Sequence, residues 1–108
     1  MSPEQLNVLI IDDDEAIRDL LVEAINARGH LAVSASSAEE GLGLLPFWTF
    51  HVALVDHHLP GIDGIVLSEY LRANNPAMKI ALVTAEQDRQ LQRRRRMRER
   101  LRPEPSRL

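Results

Sequence analysis

Apolar residues are grouped along this chain in short runs, and the segments between the runs have the spacing of helices. Short continuous aliphatic runs are typical of strands buried on both faces of a parallel sheet. Apolar positions at helical spacing follow the first run, over residues 15–28, and the third run, over residues 64–71. The alternation predicts an α/β fold, with right-handed crossovers that place helices on both faces of a parallel sheet. The predicted strands are residues 8–11, 31–34, 52–55 and 80–83.

The predicted helices carry recognisable start and stop signals. Asp14 and Asp63 each directly precede a helical pattern, so we interpret both as N-caps. Ser37 and Glu40 have the Ser-x-x-Glu spacing of a capping box, which opens a further helix between the second and third strands. That helix is expected to close at Pro46.

Acidic and hydroxyl side chains follow three of the four predicted strands. Asp12 and Asp13 come after the first strand, Asp56 after the third and Thr84 after the fourth. The carboxyl ends of parallel strands share one edge of a sheet, where functional groups collect. Carboxylates gathered there repel one another unless a cation neutralises them, and an oxygen-only ligand set suits Mg²⁺. Helix caps explain single acids, but not acids at the ends of two strands with a hydroxyl at a third.

Composition narrows the class of protein. The 108 residues include no cysteine, which excludes disulfide scaffolds and thiolate chemistry, and 44% are hydrophobic, enough for a core. No apolar run approaches the roughly 18–20 residues that span a bilayer, and the first residues lack the features of a signal peptide, so a cytoplasmic protein without membrane contact is expected. The net charge of -3 hides a split: residues 1–85 sum to -8 and residues 86–108 to +5.

Three segments together resemble the receiver domain of response regulators in two-component signalling. They are VLIIDDDE at 8–15, VDHHLPGIDG at 55–64 and LVTA at 82–85, and the resemblance covers about residues 6–85. It implies a flavodoxin-like, doubly wound parallel sheet, here with strand order 2-1-3-4. It also implies that a histidine kinase transfers a phosphoryl group to Asp56, so the chain is not an enzyme beyond self-catalysed transfer and dephosphorylation. By the same resemblance, Thr84 is the switch hydroxyl, and Mg²⁺ is held by Asp12, Asp13, Asp56 and the backbone carbonyl of His58.

The last quarter of the chain departs from that family. A receiver has a fifth strand with a lysine, followed by a fifth helix, but the only lysine here is Lys79, at the wrong end of the fourth strand. Residues 86–102 predict one long arginine-rich helix, so we divide the chain into a receiver part, 1–85, and a basic extension, 86–108. Without a fifth strand, the fourth becomes a sheet edge, which predicts a homodimer or domain-swapped dimer through that edge and the C-terminal helix.

Two other interpretations stay open. The fold could serve as an unphosphorylated interaction or dimerisation module, because the lysine is missing. The run 93–96 could bind nucleic acid phosphates, although a solvated helix face is favoured because no aromatic residue is interleaved. Metal binding by the adjacent His57 and His58 is not favoured, since successive side chains of an extended segment point to opposite sides.

Overall fold

A computed structural model of the chain describes residues 4–83. The predicted switch residue Thr84 and the predicted helix within 86–108 lie outside the described residues, so both stay predictions. Within the described part, no helix has the length and apolar character needed to cross a membrane. The elements, in chain order, are β1 Asn7–Ile11, α1 Glu15–Ala27, β2 Leu31–Ala35, α2 Ala38–Leu44, a 3₁₀ turn Leu45–Phe47, β3 Val52–Asp56, β4 His58–Leu59, β5 Ile62–Asp63, α3 Gly64–Asn74 and β6 Lys79–Val83.

The expected parallel sheet is present. Four strands pair in the order β2-β1-β3-β6, and all three pairings are parallel. The register sets Val55 of β3 opposite Ile11 of β1, so Asp56 and Asp12 emerge side by side at the carboxyl edge. A separate two-stranded antiparallel hairpin, β4–β5, begins two residues after Asp56, at His58.

The two faces of the sheet differ in how well they are covered. Leu9 and Ile11 of β1 belong to the main core, where they pack with Leu67 and Leu71 of α3, all fully buried. Alternation along β1 turns Ile10 to the opposite face, on the side of α1, which contacts β1 and β2. No residue of α1 is itself fully buried. Among residues 4–83, α1 therefore covers its face of the sheet less completely than α3 covers the other face.

The helix starts confirm the predicted caps, with one correction. The Asp14 carboxylate accepts the backbone N–H of Ile17 at 3.2 Å, and Asp63 caps α3 in the same way. Ser37 Oγ accepts the N–H of Glu40 at 3.1 Å, as a capping box requires. Glu40, however, does not return to the backbone of Ser37, because its carboxylate accepts hydrogen bonds from the N–H and Oγ of Ser36 instead. The N–H and the hydroxyl of Ser36 thus replace the Ser37 N–H as the donors to Glu40.

Candidate acidic site at the carboxyl edge of the sheet

Three carboxylates meet where β1 and β3 end. Asp12 and Asp13 directly follow β1, and Asp56 is the last residue of β3. Because β1 and β3 are neighbours, one carboxylate oxygen from each residue lies within 4.8 Å of the others. Asp12 and Asp56 are buried, whereas Asp13 is exposed. The structure therefore brings together the three acids that the sequence places at this edge, and leaves one open side.

The electrostatics of this pocket are unfavourable to ionised carboxylates. Burial raises the pKa of Asp12 above its ordinary value, and the negative charges of Asp56 and Asp13 raise that pKa further. A hydrogen bond from the Asp14 N–H to Asp12 Oδ1, at 2.8 Å, acts in the opposite direction. A pocket of like charges held together in this way is stabilised by a cation.

Positive side chains of the described residues do not neutralise the acids directly. The Arg18 guanidinium donates a hydrogen bond of 2.7 Å to the backbone carbonyl of Asp12 rather than to its carboxylate. Lys79 begins β6, so it lies at the opposite end of the sheet from the acids. The donor set is made of carboxylate oxygens with one solvent-facing member, which fits Mg²⁺, a hard ion that prefers oxygen ligands and keeps several waters.

The turn after Asp56 is tied to the carboxylate and to α3. The His58 N–H donates to Asp56 Oδ1 at 3.2 Å, which orients the carboxylate. The β4–β5 hairpin turns at Pro60 and Gly61, where Gly61 has a φ of 80° that favours glycine. The residue after β5 is hydrogen-bonded back to the bend next to Asp56, because the Gly64 N–H donates to the His57 carbonyl at 3.1 Å.

Gly64 permits a close approach that the sequence did not reveal. A Cβ added to this glycine would lie 2.8 Å from His57 Cα and closer still to the Asp56 carbonyl oxygen. Both obstacles are backbone atoms, so they cannot move aside as a side chain would. The Asp-Gly pair at 63–64 was interpreted only as a helix start, although glycine directly after an N-cap was the available signal. Arg18 was also missed, because nothing in its spacing distinguishes it from a surface helix residue.

The adjacent histidines correct one argument made from the sequence. His57 Nδ1 and His58 Nε2 lie 3.2 Å apart, and the rings meet edge to face with centroids 4.5 Å apart. The expectation that the two side chains point to opposite sides was wrong. The reason is that His57 belongs to neither strand: it is a bend between β3 and β4, and strand alternation does not apply across it.

The fold and the site together define a class: doubly wound α/β domains that carry an acidic pocket at the carboxyl edge of a parallel sheet. The family model of the response regulator receiver domain matches residues 8–98. The chain belongs to the response regulator receiver domain family, as the resemblance in its sequence indicated.

Individual relatives agree with this assignment. The chain is 35% identical to the response regulator protein FleR of Pseudomonas aeruginosa over 78 residues, which are 72% of this chain and 16% of FleR. It is 37% identical to the transcriptional regulatory protein AfsQ1 of Streptomyces coelicolor over 82 residues, which are 76% of this chain and 36% of AfsQ1. The chain thus spans between about a sixth and about a third of the length of these two curated relatives.

Solved structures agree as well. A CheY-like receiver domain protein from Methanospirillum hungatei superposes with a TM-score of 0.72 at 34% identity, covering 76% of this chain and 66% of that one. The response regulator TrrA from Thermotoga maritima, solved in complex with Mg²⁺-BeF, gives a TM-score of 0.70 at 30% identity, covering 75% of this chain and 70% of TrrA.

Proposed function

We propose that the chain accepts a phosphoryl group from a histidine kinase on Asp56 and signals through the resulting change in assembly. The observation that carries the proposal is the meeting of Asp12, Asp13 and Asp56 within 4.8 Å at the carboxyl edge. Capping of helix N-termini does not require such a cluster of carboxylates, whereas transfer of an anionic phosphoryl group needs a cation held beside the nucleophile. Receiver domains take part in phosphoryl transfer from histidine kinases as a family, which supports the same role here.

The proposed chemistry at Asp56 is a single displacement. A carboxylate oxygen attacks the phosphorus of a phosphohistidine, a P–O bond forms, the P–N bond breaks, and the electron pair returns to the imidazole nitrogen, which is then protonated. The product is an acyl phosphate on Asp56. Since Oδ1 accepts the hydrogen bond from the His58 N–H, we assign the attack to Oδ2.

Asp12, Asp13, the Asp56 carboxylate and the His58 backbone carbonyl are the proposed Mg²⁺ ligands. When bound, Mg²⁺ offsets the negative charge that the carboxylates and the phosphoryl oxygens would otherwise bring together. The His58 N–H already faces Asp56, and N–H and C=O of one extended residue point to the same side of a strand, which supports the carbonyl as a ligand. The structure of TrrA, a relative 30% identical to this chain, was solved in complex with Mg²⁺-BeF, which supports Mg²⁺ as the ion.

Thr84 is proposed as the switch hydroxyl that donates to a phosphoryl oxygen. The support comes from the residue before it: Val83 is paired in register with Asp56, and its carbonyl accepts the His57 N–H at 3.1 Å. Strand β6 therefore ends beside the proposed phosphoacceptor.

Phosphorylation is tested by incubating the protein with acetyl phosphate and Mg²⁺ and measuring intact mass. We expect a gain of one phosphoryl group that is absent in Asp56→Asn and absent when EDTA replaces Mg²⁺. Asp14→Asn is the matched control, because Asp14 is an exposed N-cap beside the pocket and asparagine caps helices equally well. Phosphorylation that persists in Asp56→Asn would refute Asp56 as the acceptor. No gain in the wild type would favour the alternative of an unphosphorylated interaction module.

We also propose that the chain forms a homodimer through β6, the assembly that phosphorylation would alter. This strand pairs only with β3 among the described residues, and Leu82 within it is 41% exposed. An edge strand with exposed apolar side chains favours pairing with a second copy. Light scattering after size exclusion is expected to give a dimer mass for the wild type and a monomer mass for Leu82→Lys. Phe47→Lys is the matched control, because Phe47 is an apolar side chain that is 81% exposed and belongs to the 3₁₀ turn, not to β6.

A monomeric wild type at tens of micromolar would remove the dimer proposal.

Nucleic acid binding through the arginine run 93–96 is the remaining alternative, and those residues lie outside the described part of the chain. It would be favoured by DNA binding that weakens steeply with added salt, since release of counterions from phosphates gives that dependence.

A further inference from the structure

The bend after β3 brings two imidazole rings together on the surface. His57 Nδ1 and His58 Nε2 are 3.2 Å apart, with the rings edge to face at an interplanar angle of 80°. Zinc-bound imidazole nitrogens lie about 2.0–2.1 Å from the ion, so two of them at a tetrahedral angle are separated by about 3.3 Å. In the structure this separation is that of a hydrogen bond between the two rings, and it is also close to the one that two imidazoles sharing one tetrahedral ion would have.

We propose that His57 and His58 form a two-nitrogen site for a divalent transition metal such as Zn²⁺, distinct from the acidic pocket that holds Mg²⁺. Imidazole nitrogen favours Zn²⁺, Cu²⁺ and Ni²⁺, whereas carboxylate and carbonyl oxygens favour Mg²⁺. The two sites therefore differ in the ions they select, although they are adjacent along the chain.

The surroundings of the pair suit a bound ion. Both histidines line an open hollow of about 490 Å³ that also includes Asp63, so water has room to complete the coordination shell. The histidines are not part of the carboxylate cluster: among residues 4–83, the group of three or more ligand residues whose atoms come within 4.8 Å of one another is Asp12, Asp13 and Asp56. The ion would therefore be held by nitrogen, with the carboxylates of the pocket left to Mg²⁺.

The other two histidines do not offer a comparable pair. His30 Nδ1 accepts the backbone N–H of Leu6 at 3.0 Å, and His51 Nδ1 accepts that of Asn7 at 2.9 Å. Each of these rings anchors the start of β1 through the nitrogen lone pair that a metal would otherwise use. His51 is also exposed, which makes it a suitable control for histidine removal.

The test is calorimetric titration of the full chain with ZnCl₂ while Mg²⁺ is kept in large excess to fill the acidic pocket. We expect one Zn²⁺ per chain, and binding weakened by at least about tenfold in both His57→Ala and His58→Ala, since changes around metal ligands alone cost about 10–100-fold. His51→Ala should bind as the wild type does. Cu²⁺ bound in place of Zn²⁺ should show two imidazole nitrogens in its electron paramagnetic resonance spectrum, a readout that does not depend on phosphorylation.

Three results would overturn the site. They are the absence of saturable binding, binding that survives in both His57→Ala and His58→Ala but is lost in Asp13→Asn, and a Cu²⁺ spectrum without imidazole nitrogen. In the first case the two rings are joined by a hydrogen bond alone, and in the second the ion occupies the acidic pocket. Circular dichroism of each variant establishes that it is folded, and His57→Gln and His58→Gln, which keep a polar side chain, replace any alanine variant that is not.

Discussion

Replacing Asp12 by asparagine should stabilise the protein in the absence of divalent cations. Asp12 is buried, and burial together with the charges of Asp56 and Asp13 raises its pKa. A carboxyl whose pKa is higher in the folded state than in the unfolded chain is penalised when ionised, so folding loses stability as pH rises through the folded pKa. At neutral pH the ionised Asp12 carboxylate therefore lowers the free energy of unfolding of the wild type, and the neutral asparagine removes this effect.

The magnitude follows from the geometry of the pocket. Two unit charges 4.8 Å apart repel by about 3 kcal/mol at an effective dielectric constant of about 20. Asparagine can still accept the Asp14 N–H through its Oδ1, but its amide N–H groups need new partners in a buried site, which costs about 1–3 kcal/mol if they find none. The difference is a net gain of up to about 2 kcal/mol, and each kcal/mol raises Tm by about 4–8 °C for a domain of this size.

Urea denaturation followed by Trp48 fluorescence provides the assay, with EDTA in one series and Mg²⁺ in the other. In EDTA, Asp12→Asn should unfold at higher urea than the wild type. Mg²⁺ should then stabilise the wild type by about 2.7 kcal/mol at 100 times its Kd and stabilise the variant less, so the difference narrows or reverses. Asp19→Asn, which removes an exposed charge from α1, should change stability by no more than about 0.5 kcal/mol. A variant less stable than the wild type in EDTA would refute the reasoning.

Two further predictions concern a close approach and a helix start. Gly64→Ala should destabilise the protein by about 1–3 kcal/mol in urea denaturation, because its Cβ would collide with the backbone of Asp56 and His57. Gly43→Ala should instead be neutral or stabilising by up to about 1 kcal/mol, since its Cβ would meet open space within α2. Hydrogen bonds from Ser36 lower the pKa of Glu40 below its ordinary value of 4.5, so its carboxylate stabilises the fold at higher pH and that contribution is lost as pH falls below 4.5. Denaturation across that pH range should show a smaller loss in Glu40→Gln than in the wild type.

Each of these predictions has an outcome that contradicts it. Equal stability of Gly64→Ala and Gly43→Ala would mean that the start of α3 is not held against the β3–β4 bend. A pH profile of Glu40→Gln identical to that of the wild type would mean that the Ser36 hydrogen bonds do not persist in solution.

Sequence reasoning reached the fold because the relevant signals are local. The valine and isoleucine runs specify strands, Asp14 and Asp63 cap the helices that follow them, and their alternation leaves a parallel sheet as the natural solution. Sequence reasoning also predicted that Asp12 and Asp56 lie at one edge of the sheet, because the carboxyl ends of parallel strands share that edge. It failed where the outcome depends on one residue's backbone angles or on close packing. The bend at His57 reversed the expected direction of a side chain, and the contact of Gly64 with the β3–β4 turn has no periodic signature.

The backbone N–H and C=O of His57, the residue after the proposed phosphoacceptor, are hydrogen-bonded to two different elements. Its N–H is bonded to the last described carbonyl of β6, and its C=O to the first N–H of α3. The carbonyl of Gly64 is in turn bonded to the buried Ser68 hydroxyl at 2.7 Å, one turn further along the helix. Because backbone atoms make both of these hydrogen bonds and no side chain lies between the bend and Gly64, we expect a shift of the backbone at Asp56 to reach β6 and α3. This junction would therefore couple the proposed phosphorylation site to β6, the strand of the proposed dimer, and to α3.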